Sequence, residues 1–322
     1  MVIGGCGYIG SLLVPELIRR KHRVQVVDLM WFGNNLPPEA IPGTRRIDAS
    51  NLVDVDLREV DALIFLAGLS NDPMADFNPA ANFQFNAALP SYLAYIAKKA
   101  GVKVFIHGGS CSVYGLLEPD LKASEDLPPR AQTPYGVSKL MAEFGVMRQN
   151  GNDMRVVNFR MGTVCGFSER MRFDLVINTM VKDAILKKEI HINDIGAERP
   201  ILDIRDAVSA YCQALTNEDL RGTYNLFSHN VSIGKLATRV KNRLNAYGTE
   251  PAIVIHNNHD NRSYTASNKK ATACGIYCMT PLDNTIDSVI KFAMHIGPKL
   301  LEEPRFYNIT TFKALSDSRL AA

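Results

Sequence analysis

The sequence predicts an α/β protein: a doubly wound parallel sheet carrying a smaller α/β lobe. Three observations predict it. Short apolar, β-branched runs at 24–28, 44–47, 62–66, 102–107 and 155–160 alternate with amphipathic helical stretches, and parallel strands need such crossover helices. A glycine-spaced turn stands at the very start, between an apolar stub and a helical stretch. The length of 322 residues with 46% hydrophobic content suffices for one large α/β unit or two lobes.

The first element is the stub at residues 1–3. It is short, because strands usually run about five or six residues; either the true start lies upstream or the strand is clipped. Gly4, Gly7 and Gly10 follow in GGCGYIG, and SLLVPELIRRKH has a helical pattern. Glycines at this spacing permit a tight turn and close approach of a pyrophosphate, which then rests on the helix N-terminus. Gly4, Gly7, Tyr8, Ile9 and Gly10 are therefore expected against a dinucleotide. The next strand, RVQVVD, ends at Asp28, where a carboxylate accepts hydrogen bonds from both ribose hydroxyls. No Arg or Lys follows in DLMWFGNN to meet a 2′-phosphate, so the expected cofactor is NAD. Trp31 and Phe32 should flank its adenosine, Asp48 and Ala49 its adenine, and Leu66, Ala67 and Gly68, continuing to Ser70, another wall of the crevice.

The strand at 102–107 runs into Gly108, Gly109 and Ser110, which places the serine where a parallel strand delivers residues to a ligand crevice. Tyr135 and Lys139 then stand four apart in TPYGVSKLMAE, on one face of a helix. A phenol titrates near 10 in water, and a fixed ammonium beneath it favours the phenolate that a general base needs. In that arrangement Ser110 holds a substrate hydroxyl whose proton Tyr135 takes.

Six cysteines are scattered at 6, 111, 165, 212, 274 and 278. Cys274 and Cys278 have a spacing that can seed a zinc site, but no second ligand pair accompanies them. No metal is expected, and buried thiols are the preferred reading. Cys111, next to Ser110, stays open as a catalytic thiol. The formal charge of +3 is too small and dispersed to imply nucleic acid. No run of about 18 apolar residues and no export leader is present, so neither a membrane span nor secretion is expected, and the cytoplasm is the expected compartment.

These motifs together resemble the extended short-chain dehydrogenase/reductase superfamily, in the NAD-dependent epimerase/dehydratase group that acts on nucleotide sugars. GGCGYIG is similar to the group's cofactor turn, GSCSVYG to its serine motif, YGVSK to its Tyr-x-x-x-Lys motif, and RPILDIRDA to its Arg-containing strand. The resemblance implies a Rossmann domain over 1–165, with 200–227 returning to the main sheet as strand, helix and strand. It implies a nucleotide-sugar lobe over 166–199 and 228–322. It makes Ser110, Tyr135 and Lys139 the catalytic set, with Asn86 ordering the site beside the cofactor. Asn178, Arg199 and Arg262 would hold the nucleotide diphosphate, and a guanidinium grips phosphate in bidentate fashion. Ser112, Thr163 and Arg172 fall on the substrate side. A softer likeness in TVCGFSERMRFDLVIN points to a subgroup of epimerases and 4-dehydrogenases, some handling GDP-heptoses. Within that run Arg170 and Arg172 are either substrate contacts or a solvated basic pair.

Departures from the group narrow the reaction. Nucleotide-sugar 4,6-dehydratases carry Asp-Glu where this chain has Cys111 and Ser112, so dehydration is disfavoured for want of a carboxyl acid and base. Relatives that epimerise beside a ketone place a cysteine where Ser112 stands, which leaves a 3,5-epimerase off-register. The expected reaction is epimerisation at C4 through a transient 4-keto sugar. The alternatives are a 4-dehydrogenase that releases the keto sugar and, further off, a non-catalytic dinucleotide-binding regulator. The resemblance also implies a homodimer built on the helices near 86–100 and 135–150, with Leu89, Tyr92, Leu93 and Ile96 as an apolar stripe either for a partner or for the chain's own sheet.

Overall fold

A computed structural model describes residues 1–118, 121–256, 258 and 263–320. The strands are β1 (Val2–Ile3), β2 (Val26–Asp28), β3 (Thr44–Arg46), β4 (Ala62–Phe65), β5 (Val104–Ser110), β6 (Lys122–Ala123), β7 (Arg155–Met161), β8 (Thr163–Cys165), β9 (Glu189–Ile192), β10 (Glu198–Asp203), β11 (Gly222–Leu226), β12 (His229–Ser232), β13 (Ala252–Ile255) and β14 (Thr265–Ala266). The helices are α1 (Gly10–Arg19), α2 (Asp72–Phe77), α3 (Pro79–Phe83), α4 (Leu89–Ala100), α5 (Pro134–Met147), α6 (Val176–Lys187), α7 (Ile204–Thr216), α8 (Ile233–Ala246), α9 (Lys269–Ala273), α10 (Leu282–Ile296), α11 (Pro298–Leu301) and α12 (Asn308–Leu320).

Seven strands form one parallel sheet in the order β11-β7-β5-β4-β1-β2-β3. The order reverses between β1 and β4, and in open α/β sheets a ligand crevice opens beyond the carboxyl ends of the strands at such a switch. β1 is as short as the sequence suggests, yet it is central: Val2 pairs with Val26 on one side and Ile64 on the other. The helices cover both faces, which explains why the strands read as continuous apolar runs rather than alternating ones. One layer of core joins α1 and α7 to the sheet through Leu13, Val14, Leu17, Tyr211 and Phe159. The other joins α4 and the end of α5 through Leu93, Ala97, Phe105 and Val146.

The segment 200–227 returns to this sheet only in part. β11 pairs with β7, but β10 pairs with β8 and β12 in a separate three-stranded sheet. Its register sets Ile201 opposite Thr163 and Asp203 opposite Cys165, so β10 builds a second platform beside the crevice. A further core under this platform is formed by α6, α8 and α10, with Ile177, Val181, Leu236, Val240, Val289 and Ile290 buried together.

On α4, Leu89, Leu93 and Ile96 are buried in the chain's own core, because they face the sheet. The apolar residues left outward on α4 and α5 are instead Tyr92, Tyr95, Met141 and Phe144, with Tyr95 57% and Phe144 61% exposed. Among the described residues no helix is long and apolar enough to cross a membrane.

Candidate active site

A cavity of about 490 Å³ opens at the switch point, lined by the glycine turn, the ends of β2, β4 and β5, the start of α5 and the loop between β8 and α6. At one end the turn brings Gly4, Gly7, Tyr8, Ile9 and Gly10 to its wall. Gly4 sits at φ +81°, and a Cβ there would lie 2.6 Å from the Ala67 amide; only glycine accepts both that backbone and that approach. α1 begins at Gly10 with no carboxylate in its first turn, which leaves the positive end of its dipole at the cavity wall. Asp28, Asp48, Ala49, Leu66, Ala67 and Gly68 all line the same space, as do Trp31 and Phe32. Asp28 accepts the backbone N–H of Cys6 at 2.9 Å and of Met30 at 2.7 Å, and burial raises its carboxyl above the ordinary range. Asp48 caps the following turn through the Ser50 amide.

At the other end Thr133 accepts the Gly136 N–H at 3.1 Å and Pro134 occupies the first helical position, a strong N-terminal signal. The cap starts α5 so that Tyr135 lies in its first turn and Lys139 one turn on, both on the cavity wall with Ser110 and Ser112. Burial pushes the Tyr135 phenol up to about 12; a hydrogen bond with Ser110 draws it back, Asp72 pushes it up and Arg172 pulls it down. Lys139 stands one turn beyond Tyr135 on α5, on the same cavity wall. Its ammonium donates to the Gly108 carbonyl at 2.9 Å, and burial lowers its pKa to about 8. Arg172, on the loop beyond β8, adds a smaller downward pull on the phenol.

Arg172 is 5% exposed, so the solvated-pair reading of Arg170 and Arg172 is overturned. Its guanidinium takes both oxygens of Asp174, at 2.8 and 3.1 Å, and donates to Ser70 Oγ at 3.0 Å. Ser70 also accepts from Asn308 Nδ2 at 2.7 Å, and Asn71 Nδ2 donates to Asp174 at 3.2 Å. Ser70 ends the crevice wall expected over 67–70, whereas sequence reasoning missed Asp72, Asp174, Tyr264 and Asn308, all of which line the cavity. Asn71, which caps α2 through the Met74 amide, marks the loop that carries Ser70 and Asp72. Nothing in the sequence pairs Ser70 with Asn308, since they are 238 residues apart.

Thr163 and Arg199 also line the cavity. Asn86 and Asn178 do not. A π-helical turn over Gln84–Ala88 aims Asn86 behind Gly68, where its Nδ2 donates to the Leu69 carbonyl at 2.8 Å and to Asn82 at 2.7 Å. Asn86 therefore braces the wall rather than meeting the cofactor. Asn178 is buried, its Nδ2 donating to the Arg172 carbonyl at 2.7 Å and to the Tyr8 hydroxyl at 3.2 Å; it positions the loop that bears Arg172. Arg262 lies outside the described residues. Cys111 points away from the cavity, its thiol against the Arg160 carbonyl at 3.1 Å, and burial raises its pKa strongly. A buried, protonated thiol is no nucleophile. Cys278 is buried and Cys274 packs its sulfur 3.9 Å from the Tyr224 hydroxyl.

A glycine turn on a helix N-terminus, a carboxylate at the end of β2 and a Ser, Tyr and Lys around one cavity define the class: a dinucleotide-binding α/β protein. The chain belongs to the NAD dependent epimerase/dehydratase family, whose model matches residues 1–226, and NAD is its cofactor. A UDP-glucose 4-epimerase of Lactobacillus helveticus is 32% identical over 147 residues, 44% of this chain and 44% of the relative. A GDP-6-deoxy-D-mannose reductase of Pseudomonas aeruginosa is 30% identical over 175 residues, 52% of this chain and 58% of the relative. These matches span about half the length of the curated relatives. The solved structure of MoeE5 in complex with UDP-glucuronic acid and NAD superposes with a TM-score of 0.79 at 27% identity, covering 92% of this chain and 99% of that one.

Proposed function

We propose that this chain is a nucleotide-sugar epimerase that inverts C4 through a transient 4-keto sugar, with Tyr135 as the general base. The observation that carries the reading is the convergence of Tyr135, Ser110 and Lys139 on one cavity wall with no carboxyl group at positions 111 and 112 to drive dehydration. Ser110 and Tyr135 share a hydrogen bond, so a sugar hydroxyl set between them has one partner to hold it and one to take its proton. Bound NAD supplies a cationic nicotinamide and a reversible acceptor for the C4 hydride. Arg172 favours the phenolate from the protein side, and Lys139, held by Gly108, keeps a proton donor close to the crevice. Arg199, Thr163 and Ser112 are the residues available to the substrate's sugar and phosphates. In this reading residues 1–165 with 200–227 form the cofactor unit, and 166–199 with 228–322 the sugar-nucleotide unit.

The test is incubation with a panel of UDP-, GDP-, CDP- and dTDP-sugars, followed by mass spectrometry, proton NMR and absorbance at 340 nm. An isomer of unchanged mass without lasting NADH is expected. A product lighter by two hydrogens with accumulating NADH would replace the epimerase by a 4-dehydrogenase. The reading includes a homodimer across the exposed Tyr92, Tyr95, Met141 and Phe144, since such a contiguous apolar face on two helices favours association. Light scattering on wild type should give twice the chain mass, and Phe144→Glu about half that value; a wild-type monomer would remove the dimer from the reading.

A further inference from the structure

Sugar chemistry leaves one buried arginine without a task. Arg170 is 3% exposed and lines the cavity, its guanidinium lying 3.7 Å over the Phe32 ring. One terminal nitrogen donates to Asn308 Oδ1, while Nε is buried without a hydrogen-bond partner. The backbone N–H of Arg170 donates to Ser11 Oγ at 3.2 Å, and Ser168 Oγ donates to the Tyr8 carbonyl at 2.6 Å. The loop is thereby tied down over the first turn of α1. The carboxylates nearby are already engaged: Asp174 by Arg172, and Asp28 by two backbone amides. Among the described residues Arg170 has no ion-pair partner, and burial lowers its pKa to about 9. A buried cation without a counter-charge is costly, and this one stands beside the helix N-terminus best suited to an anion.

We propose that Arg170 is a diphosphate clamp for the dinucleotide, closing its guanidinium over the phosphates from the side opposite the glycine turn. The proposal rests on NAD occupying this cavity. Phe32, stacked beneath the planar fork, shields it from water, and Asn308 holds its far edge. A phosphate on the ribose 2′ position or on the substrate nucleotide presents the same chemistry, but the backbone of Arg170 is tied to Ser11 in the first turn of α1 and its side chain lines the cavity that the glycine turn walls, where the dinucleotide's diphosphate belongs.

Trp31, the only tryptophan of the chain, lines this cavity and reports binding by its fluorescence. Full-length protein freed of nucleotide is titrated with NAD, 5′-ADP, adenosine, 2′-AMP and UDP, as wild type and as Arg170→Met. The expected result is a loss of about tenfold or more in affinity for NAD and ADP, with adenosine unchanged within about twofold. Equal weakening of ADP and adenosine overturns the clamp and leaves Arg170 a folding role. Selective loss of 2′-AMP, or of UDP with ADP unchanged, overturns it in favour of the other phosphate. Failure of wild type to bind any adenine nucleotide sinks the cofactor reading and the clamp together, whereas ADP binding unchanged by the substitution sinks the clamp alone. Should Arg170→Met not fold, Arg170→Lys keeps the charge but loses the planar fork, and the same comparison decides.

Discussion

Arg160 and the pair Arg170 and Arg172 are equally buried, yet they sit in opposite kinds of surroundings. Behind β5 and β7, Arg160 gives Nε and one terminal nitrogen to Glu143 at 2.9 and 2.6 Å and the other to the Tyr114 hydroxyl at 2.8 Å. Glu143 also takes Asn158 Nδ2 at 2.9 Å, and Asn158 Oδ1 lies 2.7 Å from His107 Nδ1. Every charge there has its complement, and none of these residues lines the cavity. At the cavity, by contrast, Arg172 takes Asp174 in bidentate fashion, and Arg170 has no ion-pair partner among the described residues. A closed network fixes a fold; an open one with an unpaired buried cation is suited to an anionic ligand.

The comparison is open to attack in four ways. The largest effect belongs to the open region: Tyr135→Phe is expected to cut kcat by about 10³-fold, a general base contributing on the order of 10²–10⁴, with Tm unchanged. A fall in Tm to match would make Tyr135 a packing residue. Glu143→Gln strands Arg160 in the closed network and should cost about 3–5 kcal/mol in urea unfolding, while the NAD affinity of the folded fraction holds. Lost NAD affinity there would show the two regions are not separate.

Acid should then act on the closed network through His107, which burial holds down at a pKa of about 3. Its unfolded value lies near 6.5, so between these limits the unfolded chain binds the extra proton and stability falls as pH drops, by about 1.4 kcal/mol per unit at most. His107→Gln should flatten that slope, and an unaltered slope would assign the acid loss to carboxylates. The smallest effect is electrostatic. Arg172→Gln removes the cation drawing Tyr135 down, so the rising limb of kcat/KM should move to higher pH, by roughly one unit. A limb that stays put would hand the tuning of the phenol back to Lys139.

Much of the cofactor end was legible in the sequence, because its determinants are local. The glycine turn and Asp28 reach the cavity through backbone geometry and strand position, and both follow from residue spacing along a few turns of chain. Tyr135 and Lys139 were legible for the same reason, given the Thr133–Pro134 cap. The polar end was legible only in part. Arg172 was expected on the substrate side and Ser70 on the crevice wall, but their partners Asp174 and Asn308 were not, because these segments are joined only by folding and their neighbours in sequence carry no mark of the partnership. Cys111 shows the converse: one residue from Ser110 on the chain, it lies just past the end of β5 in a 3-10 turn, and its thiol turns to the Arg160 carbonyl rather than the cavity.

The sequence by itself therefore determined the parallel sheet, the glycine turn and the Ser, Tyr and Lys that meet on one cavity wall, since apolar periodicity, capping and glycine spacing act over short stretches. Only the tertiary structure decided that Arg172 joins Tyr135 on the cavity wall, which asparagines stand behind that wall, and that β10 leaves the main sheet. Those outcomes depend on charge, burial and hydrogen-bond partners brought together across 100 residues or more, and such long-range pairing is set by the packing of the whole chain.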